Sequence, residues 1–242
     1  LVSMLAAGMQ QFYFLGTAQF MQDNRIPAKN VPASMAIAQA VQALATLFVF
    51  GWLINNAGYK WTLIIGASAW LVLFVIYIVP RPSSVLVVSQ AFHGLAYVFF
   101  IIAGQQYAGT VAPPEMVGSM QAFIFTAQSG LGLFLGTQLA GLVMAKANTD
   151  GRFDWPKVWK VPVGILVVSI VVLLIGFSGK LDIAGAAQSP DASSTTVDPN
   201  AAPDPNAVAP NTLPEPNAVG QAVLDRLIQT VNLWNSAIRA AV

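Results

Sequence analysis

Charged residues are scarce in this sequence, and cysteine is absent. Of the 242 residues, 9% are Asp, Glu, Lys or Arg, against about 25% in an ordinary soluble domain. A soluble domain needs charge to cover its surface, whereas a chain surrounded by lipid must leave it off. The lack of cysteine excludes disulfides, thiolate metal sites and a cysteine nucleophile. The composition therefore predicts an integral membrane protein.

Several other classes of function have no support in the sequence. The 11 Lys and Arg residues are scattered, which argues against nucleic acid as a partner, because phosphate binding needs clustered cations. No metal cluster, nucleophile with its base, or phosphate loop can be assembled, so we expect neither an enzyme nor a cofactor or metal. The chain begins at Leu1, without an initiator Met or a basic flank, and we expect it to be a piece of a longer protein.

Six apolar stretches are each about 20 residues long, the length that a helix needs to cross the roughly 30 Å hydrocarbon core. Proline, glycine, asparagine and aspartate separate them, as expected of loops. The sequence thus predicts an all-α membrane domain over residues 1–179 with six transmembrane helices. They run approximately from Leu1 to Met21, Met35 to Ile54, Trp61 to Val79, Val85 to Tyr107, Gly118 to Met144 and Val161 to Phe177.

The composition changes abruptly after Gly179. Residues 180–219 are rich in Pro, Asn and Ala, too poor in large apolar side chains to form a core, and should be a disordered linker. Residues 220–242 carry apolar side chains three and four positions apart, from Leu224 to Ile238, which predicts an amphipathic helix. This helix could lie on a membrane, dock on a partner, or be a weakly ordered tail.

Glutamine is distributed unevenly over the six stretches. The first, second, fourth and fifth contain two or three glutamines each, and the third and sixth contain none. A buried amide without partners costs several kcal/mol, so the glutamine-bearing helices should face protein, water or ligand. Two polar helices followed by an apolar one, twice over, indicate a 3+3 repeat, which is the plan of half a major-facilitator fold. A channel or a receptor-like bundle remains an alternative.

Spacing places a set of amides and rings on shared helix faces, because residues three or four apart are neighbours on a helix. Such groups suit a neutral, hydrogen-bonding ligand with a flat ring, such as a sugar or a nucleoside. The alternative is that individual amides only tie helices together. The candidates are Gln10, Tyr13, Gln39, Gln42, His93 and Tyr97.

His93 is the only histidine, and two interpretations of it are open. It could relay protons, since an imidazole titrates near physiological pH, or it could stay neutral and hydrogen-bond a ligand. The second is favoured, because none of the six stretches contains Asp or Glu and proton-coupled carriers commonly use an intramembrane carboxylate. Separately, Gly132, Gly136 and Ala140 form a stripe of small residues that predicts close helix packing.

An ordered series of short motifs resembles the nucleoside:proton symporters of the major facilitator superfamily. The resemblance covers residues 1 to 178, in the order of that family's helices seven to twelve. The motifs are Gly8-Met-Gln-Gln-Phe-Tyr-Phe, Ala38-Gln-Ala-Val-Gln, Gly58-Tyr-Lys, His93-Gly-Leu-Ala-Tyr-Val-Phe-Phe, Gly104-Gln-Gln-Tyr, Ser119-Met-Gln-Ala and Asp154-Trp-Pro-Lys-Val-Trp.

The resemblance implies that the family's substrate-contacting glutamines fall on Gln10 and Gln39, and its helix-ten aromatic positions on His93 and Tyr97. Two acids of the family pattern are replaced here, by Gln42 and by Val98, which bears on proton coupling.

The implied function is secondary transport of a nucleoside-like solute, with a possible co-transported proton, by alternating access in a plasma or inner membrane. The implied partners are membrane lipid and the N-terminal six-helix half of the same parent chain. Two alternatives remain: a permease for sugars or other small solutes, and a non-transporting sensor that uses the C-terminal helix.

Overall fold

Eight α-helices make up most of the part of the chain that the structure, a computed structural model, describes, which is residues 2–179. The predicted linker and amphipathic helix lie outside these residues. The helices are α1 Val2–Asp23, α2 Val31–Leu44, α3 Phe50–Ile78, α4 Ser83–Ala96, α5 Ala103–Val111, α6 Val117–Phe125, α7 Leu133–Ala147 and α8 Trp155–Gly176.

Short π-helical and 3₁₀ segments lie between or before several of these helices and join them into longer helical stretches. π-Helical segments at Ala45–Val49, Tyr97–Ile102 and Thr126–Gly132 connect α2 to α3, α4 to α5 and α6 to α7. 3₁₀ turns at Ala28–Asn30 and Pro114–Met116 precede α2 and α6. Four of the resulting stretches within residues 2–179 are long and apolar enough to cross a membrane, namely Ala28–Ile78, Ser83–Val111, Pro114–Ala147 and Trp155–Gly176. The predicted class, a helical membrane protein, is confirmed at this level.

The loop predicted between the second and third stretches is reduced to one residue. The backbone is helical up to Gly58, whose φ of 73° and ψ of 173° break α3 into two parts. Glycine adopts this conformation without the steric cost that a Cβ would bring. Asn56 does not end the helix, because its side-chain amide donates to the Trp52 carbonyl of its own helix at 2.7 Å.

The last helix begins at Trp155, earlier than the predicted Val161. The Asp154 carboxylate accepts a hydrogen bond from the backbone N–H of Lys157 at 3.3 Å, which caps the helix, and Pro156 suits its first turn. Before it, Asn148–Thr149 and Arg152–Phe153 pair as an antiparallel hairpin. This two-residue pairing is a small exception to the predicted all-helical structure.

Two close helix crossings organise the packing. In the first, α1 packs on α7 and on Thr126–Gly132, where a Cβ on Gly136 would collide with the backbone of Gly8. In the second, α2 packs on α4, where a Cβ on Gly94 would collide with the carbonyl oxygen of Ala38. Of the predicted small-residue stripe, Gly132 and Gly136 face α1, and Ala140 is fully buried.

Candidate functional site

A stacked pair of rings joins α1 to α4 at the centre of the candidate site. Tyr13 and His93 lie with ring centroids 3.7 Å apart and an interplanar angle of 9°. Each side chain is only 1% exposed. Phe14, which is 47% exposed, meets the His93 ring edge-on at 5.4 Å. The imidazole is therefore stacked on Tyr13 and lies nearly perpendicular to an exposed aromatic ring.

Trp70 on α3 completes the surroundings of His93, and the sequence analysis missed it. Its indole Nε1–H donates to His93 Nδ1 at 3.2 Å, and the indole is fully buried. An imidazole nitrogen that accepts a hydrogen bond carries no proton, so the neutral ring has its proton on Nε2. The available signal was that a buried indole N–H usually has an acceptor, but the spacing of residues does not reveal which one.

Gln10 lies on α1 one turn before Tyr13 and is 3% exposed. On α2, Gln39 is exposed and Gln42 is half-buried. The Gly94 crossing brings this part of α2 to the helix of His93, since a Cβ on Gly94 would stand 2.9 Å from the Gln42 backbone nitrogen. Residues from α1, α2 and α4 thus converge on this region.

Tyr97 follows His93 by one turn, is half-buried, and begins the π-helical segment Tyr97–Ile102. Segments of this kind are frequent at functional sites. Val98, which stands where the resembled family has an acid, is fully buried. Of the predicted site residues, Tyr13 contacts the His93 ring directly. Tyr97 lies one turn further along the helical stretch of His93, and Gln39 and Gln42 lie on α2, which packs on α4.

Gln90 lies three residues before His93 on α4, but its amide points elsewhere. Its Nε2 donates to the Tyr77 hydroxyl at 2.7 Å and to the Leu86 carbonyl at 2.8 Å. Its Oε1 and the Thr17 hydroxyl are buried without a hydrogen-bond partner among residues 2–179. These side chains form a separate polar cluster between α1, α3 and α4.

A buried amide on another helix acts as a tie between helices. Gln128 is fully buried and its Nε2 donates to the Ser3 hydroxyl at 2.6 Å. Over the described residues 2–179, no group of three His, Cys, Asp or Glu side chains is placed to hold a metal ion. The contacts observed around His93 are a hydrogen bond and ring stacking.

Comparison with known proteins gives consistent matches. A family model described as "Nucleoside H+ symporter" matches residues 1–182. Over 150 residues the chain is 27% identical to the nucleoside permease NupG and 23% identical to the xanthosine permease, both of Escherichia coli K12. Each alignment covers 60% of this chain and 36% of the permease, so the chain spans about a third of the length of these relatives. Both relatives are named as permeases and neither as an enzyme.

Solved structures of the nucleoside transporter NupG share the fold. The native protein and a D323A mutant each superpose with a TM-score of 0.64, at 24% and 23% identity. The superpositions cover 72% of this chain and 45% and 46% of the solved chains.

Proposed function

This chain belongs to the nucleoside H+ symporter family, and we propose that it forms one half of a carrier that moves nucleosides, or a similar neutral polar solute, together with a proton by alternating access. The chain is an integral, multi-pass membrane protein. A plasma or inner membrane is the proposed location. The matched relatives are named for nucleoside or xanthosine transport, which supports a nucleoside as the solute.

We propose six membrane crossings arranged as a 3+3 repeat. α1 is one crossing. The stretch Ala28–Ile78 has 51 residues, and at about 1.5 Å per residue it is more than twice as long as one crossing needs. Gly58 divides it into two crossings. The three remaining stretches complete the six.

The pairing of helices supports the repeat. The first three proposed crossings are one triplet and the last three are the other. α1, the first crossing of the first triplet, packs on α7, which belongs to the middle crossing of the second triplet. In the same way, α4 of the first crossing in the second triplet packs on α2 of the middle crossing in the first. Exchanging the triplets leaves this pattern unchanged. Gly8 at the α1–α7 contact and Gly94 at the α2–α4 contact occupy corresponding positions, as expected for two related triplets.

The observation that carries the proposed substrate site is the Tyr13–His93 stack beside the exposed ring of Phe14. In the proposal, a nucleobase stacks on the exposed ring of Phe14 and on Tyr97, and reaches the edge of the buried Tyr13–His93 pair. The amides of Gln10, Gln39 and Gln42 supply donors and acceptors for the base and the sugar. The second six-helix half would close the cavity on its remaining side.

For proton coupling, we propose that His93 stays neutral and serves as a hydrogen-bonding group. Protonation would place a proton on Nδ1, the atom that faces the Trp70 N–H, and would cost that hydrogen bond. None of the six predicted stretches contains Asp or Glu. The proton would therefore be carried by a carboxylate of the other half of the transporter.

Uptake of labelled uridine, with glucose as comparator, tests this proposal in cells that express the complete transporter. We expect saturable uridine uptake that is abolished by Gln39→Ala and by His93→Ala. Gln22→Ala is the matched control, because Gln22 is exposed and its side-chain amide donates only within its own helix, to the Ala18 carbonyl at 3.3 Å. Well-expressed protein that takes up glucose and not uridine would overturn the nucleoside assignment.

A further inference from the structure

We propose that Trp70 is a positioning residue that fixes His93 as the Nε2–H tautomer, so that the site offers the substrate a hydrogen-bond donor and selects a nucleobase atom that accepts. The proposal rests on the proposed function for its substrate. Its structural part, the tautomer, can be tested without transport.

The geometry around His93 leaves one arrangement that satisfies all of its neighbours. The Trp70 indole can only donate, so the nitrogen it meets at 3.2 Å must accept. Rotating the imidazole by half a turn would put a carbon against that donor and lose the bond. The stack with Tyr13 at 3.7 Å resists any tilt out of the ring plane. The N–H that remains for a further partner is Nε2–H.

A fixed tautomer has a consequence for specificity. A histidine free to exchange its proton between the two nitrogens can donate or accept, and would tolerate either kind of group on a ligand. With Nδ1 occupied by Trp70, His93 can only donate. A nucleobase carbonyl oxygen or unprotonated ring nitrogen satisfies this donor, whereas an amino group at the same position leaves two donors facing each other.

The chain supplies a matched control for Trp70. Trp159 on α8 is also fully buried, but its Nε1 has no hydrogen-bond partner among the described residues. Replacing either indole by phenylalanine removes an N–H and a similar volume from the interior. The Trp70 substitution alone removes a hydrogen bond to His93.

The first test is the ¹⁵N NMR spectrum of histidine-labelled complete transporter, with the His93 signals assigned by difference from His93→Gln. The proposal predicts a neutral ring with a bare Nδ1 and a protonated Nε2 in the native protein. In Trp70→Phe the signals should move toward a mixture of the two tautomers, and in Trp159→Phe they should not change. A protonated Nδ1 in the native protein would overturn the proposal, even if Trp70→Phe fails to fold.

The second test is a double-mutant cycle on uridine uptake. Losing one hydrogen bond should raise the apparent KM about five- to tenfold in Trp70→Phe, with Trp159→Phe within about twofold. In a His93→Phe background, which keeps the stacked ring, we expect reduced but measurable uptake. Because no ring nitrogen remains to orient there, Trp70→Phe should have no further effect on the apparent KM. An equal cost in both backgrounds would mean that Trp70 acts only through packing. If the native protein takes up no uridine, the proposed substrate fails, and the NMR result still decides the role of Trp70.

Discussion

Two aromatic regions of the molecule resemble each other in composition and differ in their polar contacts. The His93 site consists of Tyr13, Phe14, Trp70 and His93. The Trp159 cluster consists of Phe20, Phe74, Tyr77, Trp155 and Trp159. In the first, the buried indole N–H of Trp70 donates a hydrogen bond to the imidazole of His93. In the second, the central indole stacks on Phe74 and Trp155 at 5.6 and 5.7 Å, and its N–H has no partner within residues 2–179.

An aromatic group in a membrane helix bundle can serve binding or packing, and its hydrogen bonds help to distinguish the two. Ring contacts alone do not separate the two regions, because both contain stacked and edge-on pairs. The partner of the central indole does separate them. In the His93 site the Trp70 N–H orients a ring that lies beside an exposed one. In the Trp159 cluster Trp155 donates to Asp23 and Tyr77 accepts from Gln90, but the N–H of the central Trp159 has no partner within residues 2–179.

The largest effect on folding should come from a substitution that pushes α7 away from α1. The helix α1 carries residues of both regions, Tyr13 of the His93 site and Phe20 of the Trp159 cluster. Gly136→Leu would force side-chain atoms into the Gly8 backbone, whose nearest carbons lie 2.7 and 2.8 Å from a Cβ at this position. We expect loss of folded protein, measured as the monodisperse fraction after detergent extraction. Gly141→Leu on the same helix is the control, because a Cβ there meets nothing within 4 Å. Equal yields for the two variants would show that this crossing does not hold α1.

The next effect separates the two regions from each other. Trp159→Ala should leave a cavity among the rings and lower the free energy of unfolding by about 3–5 kcal/mol, measured by thermal unfolding in detergent. The apparent KM for uridine should stay within about twofold at a temperature where the variant is folded. Trp52→Ala, at a side chain that is 64% exposed, should leave the unfolding temperature nearly unchanged. A large change in KM for Trp159→Ala would erase the distinction drawn between the regions.

A smaller effect is expected where the Trp159 cluster meets the separate polar cluster around Gln90. Tyr77 belongs to the Trp159 cluster, and its hydroxyl accepts from Gln90 Nε2 at 2.7 Å. Tyr77→Phe removes this acceptor, while Gln90 keeps its bond to the Leu86 carbonyl, so we expect a loss of about 1 kcal/mol in the free energy of unfolding. Thermal unfolding again measures it. A variant more stable than the native protein would mean that the hydroxyl is buried at a net cost.

The smallest effect should come from the carboxylate that caps α8. The side chain of Lys157 hydrogen-bonds Asp154 at 2.8 Å and holds the pKa of this exposed carboxyl below its ordinary value. A depressed pKa means that the stabilisation is present above the unfolded pKa, about 4, and is lost only as the pH falls through the lower folded value. Asp154→Asn should therefore leave the pH profile of uptake unchanged between about pH 5.5 and about pH 8. A changed slope would implicate Asp154 in coupling.

The sequence was sufficient for features that depend on composition and local spacing. Scarce charge and six apolar stretches predict a helical membrane protein because the bilayer imposes length and apolarity on a spanning segment. The motif around Gly8 and the one around His93 lead to the family. The small-residue stripe predicts close helix packing, and Gly132 and Gly136 lie against α1.

Features that depend on long-range contacts could not be read from spacing. Trp70 and His93 are 23 positions apart on different helices, and only the packing of α3 on α4 brings them together. Gln90 shares a helix face with His93, yet its amide turns to Tyr77. The single-residue break at Gly58 was also missed, because Asn and Gly are equally typical of a longer loop.

Solute recognition at the His93 site can be measured by calorimetric titration of the purified complete transporter with uridine, in the native protein and in His93→Ala and Gln22→Ala. We expect saturable binding by the native protein and by Gln22→Ala, and a loss of binding in His93→Ala while its unfolding transition remains cooperative. Equal binding by His93→Ala and the native protein would contradict the assignment of the His93 site as the place where the solute is recognised.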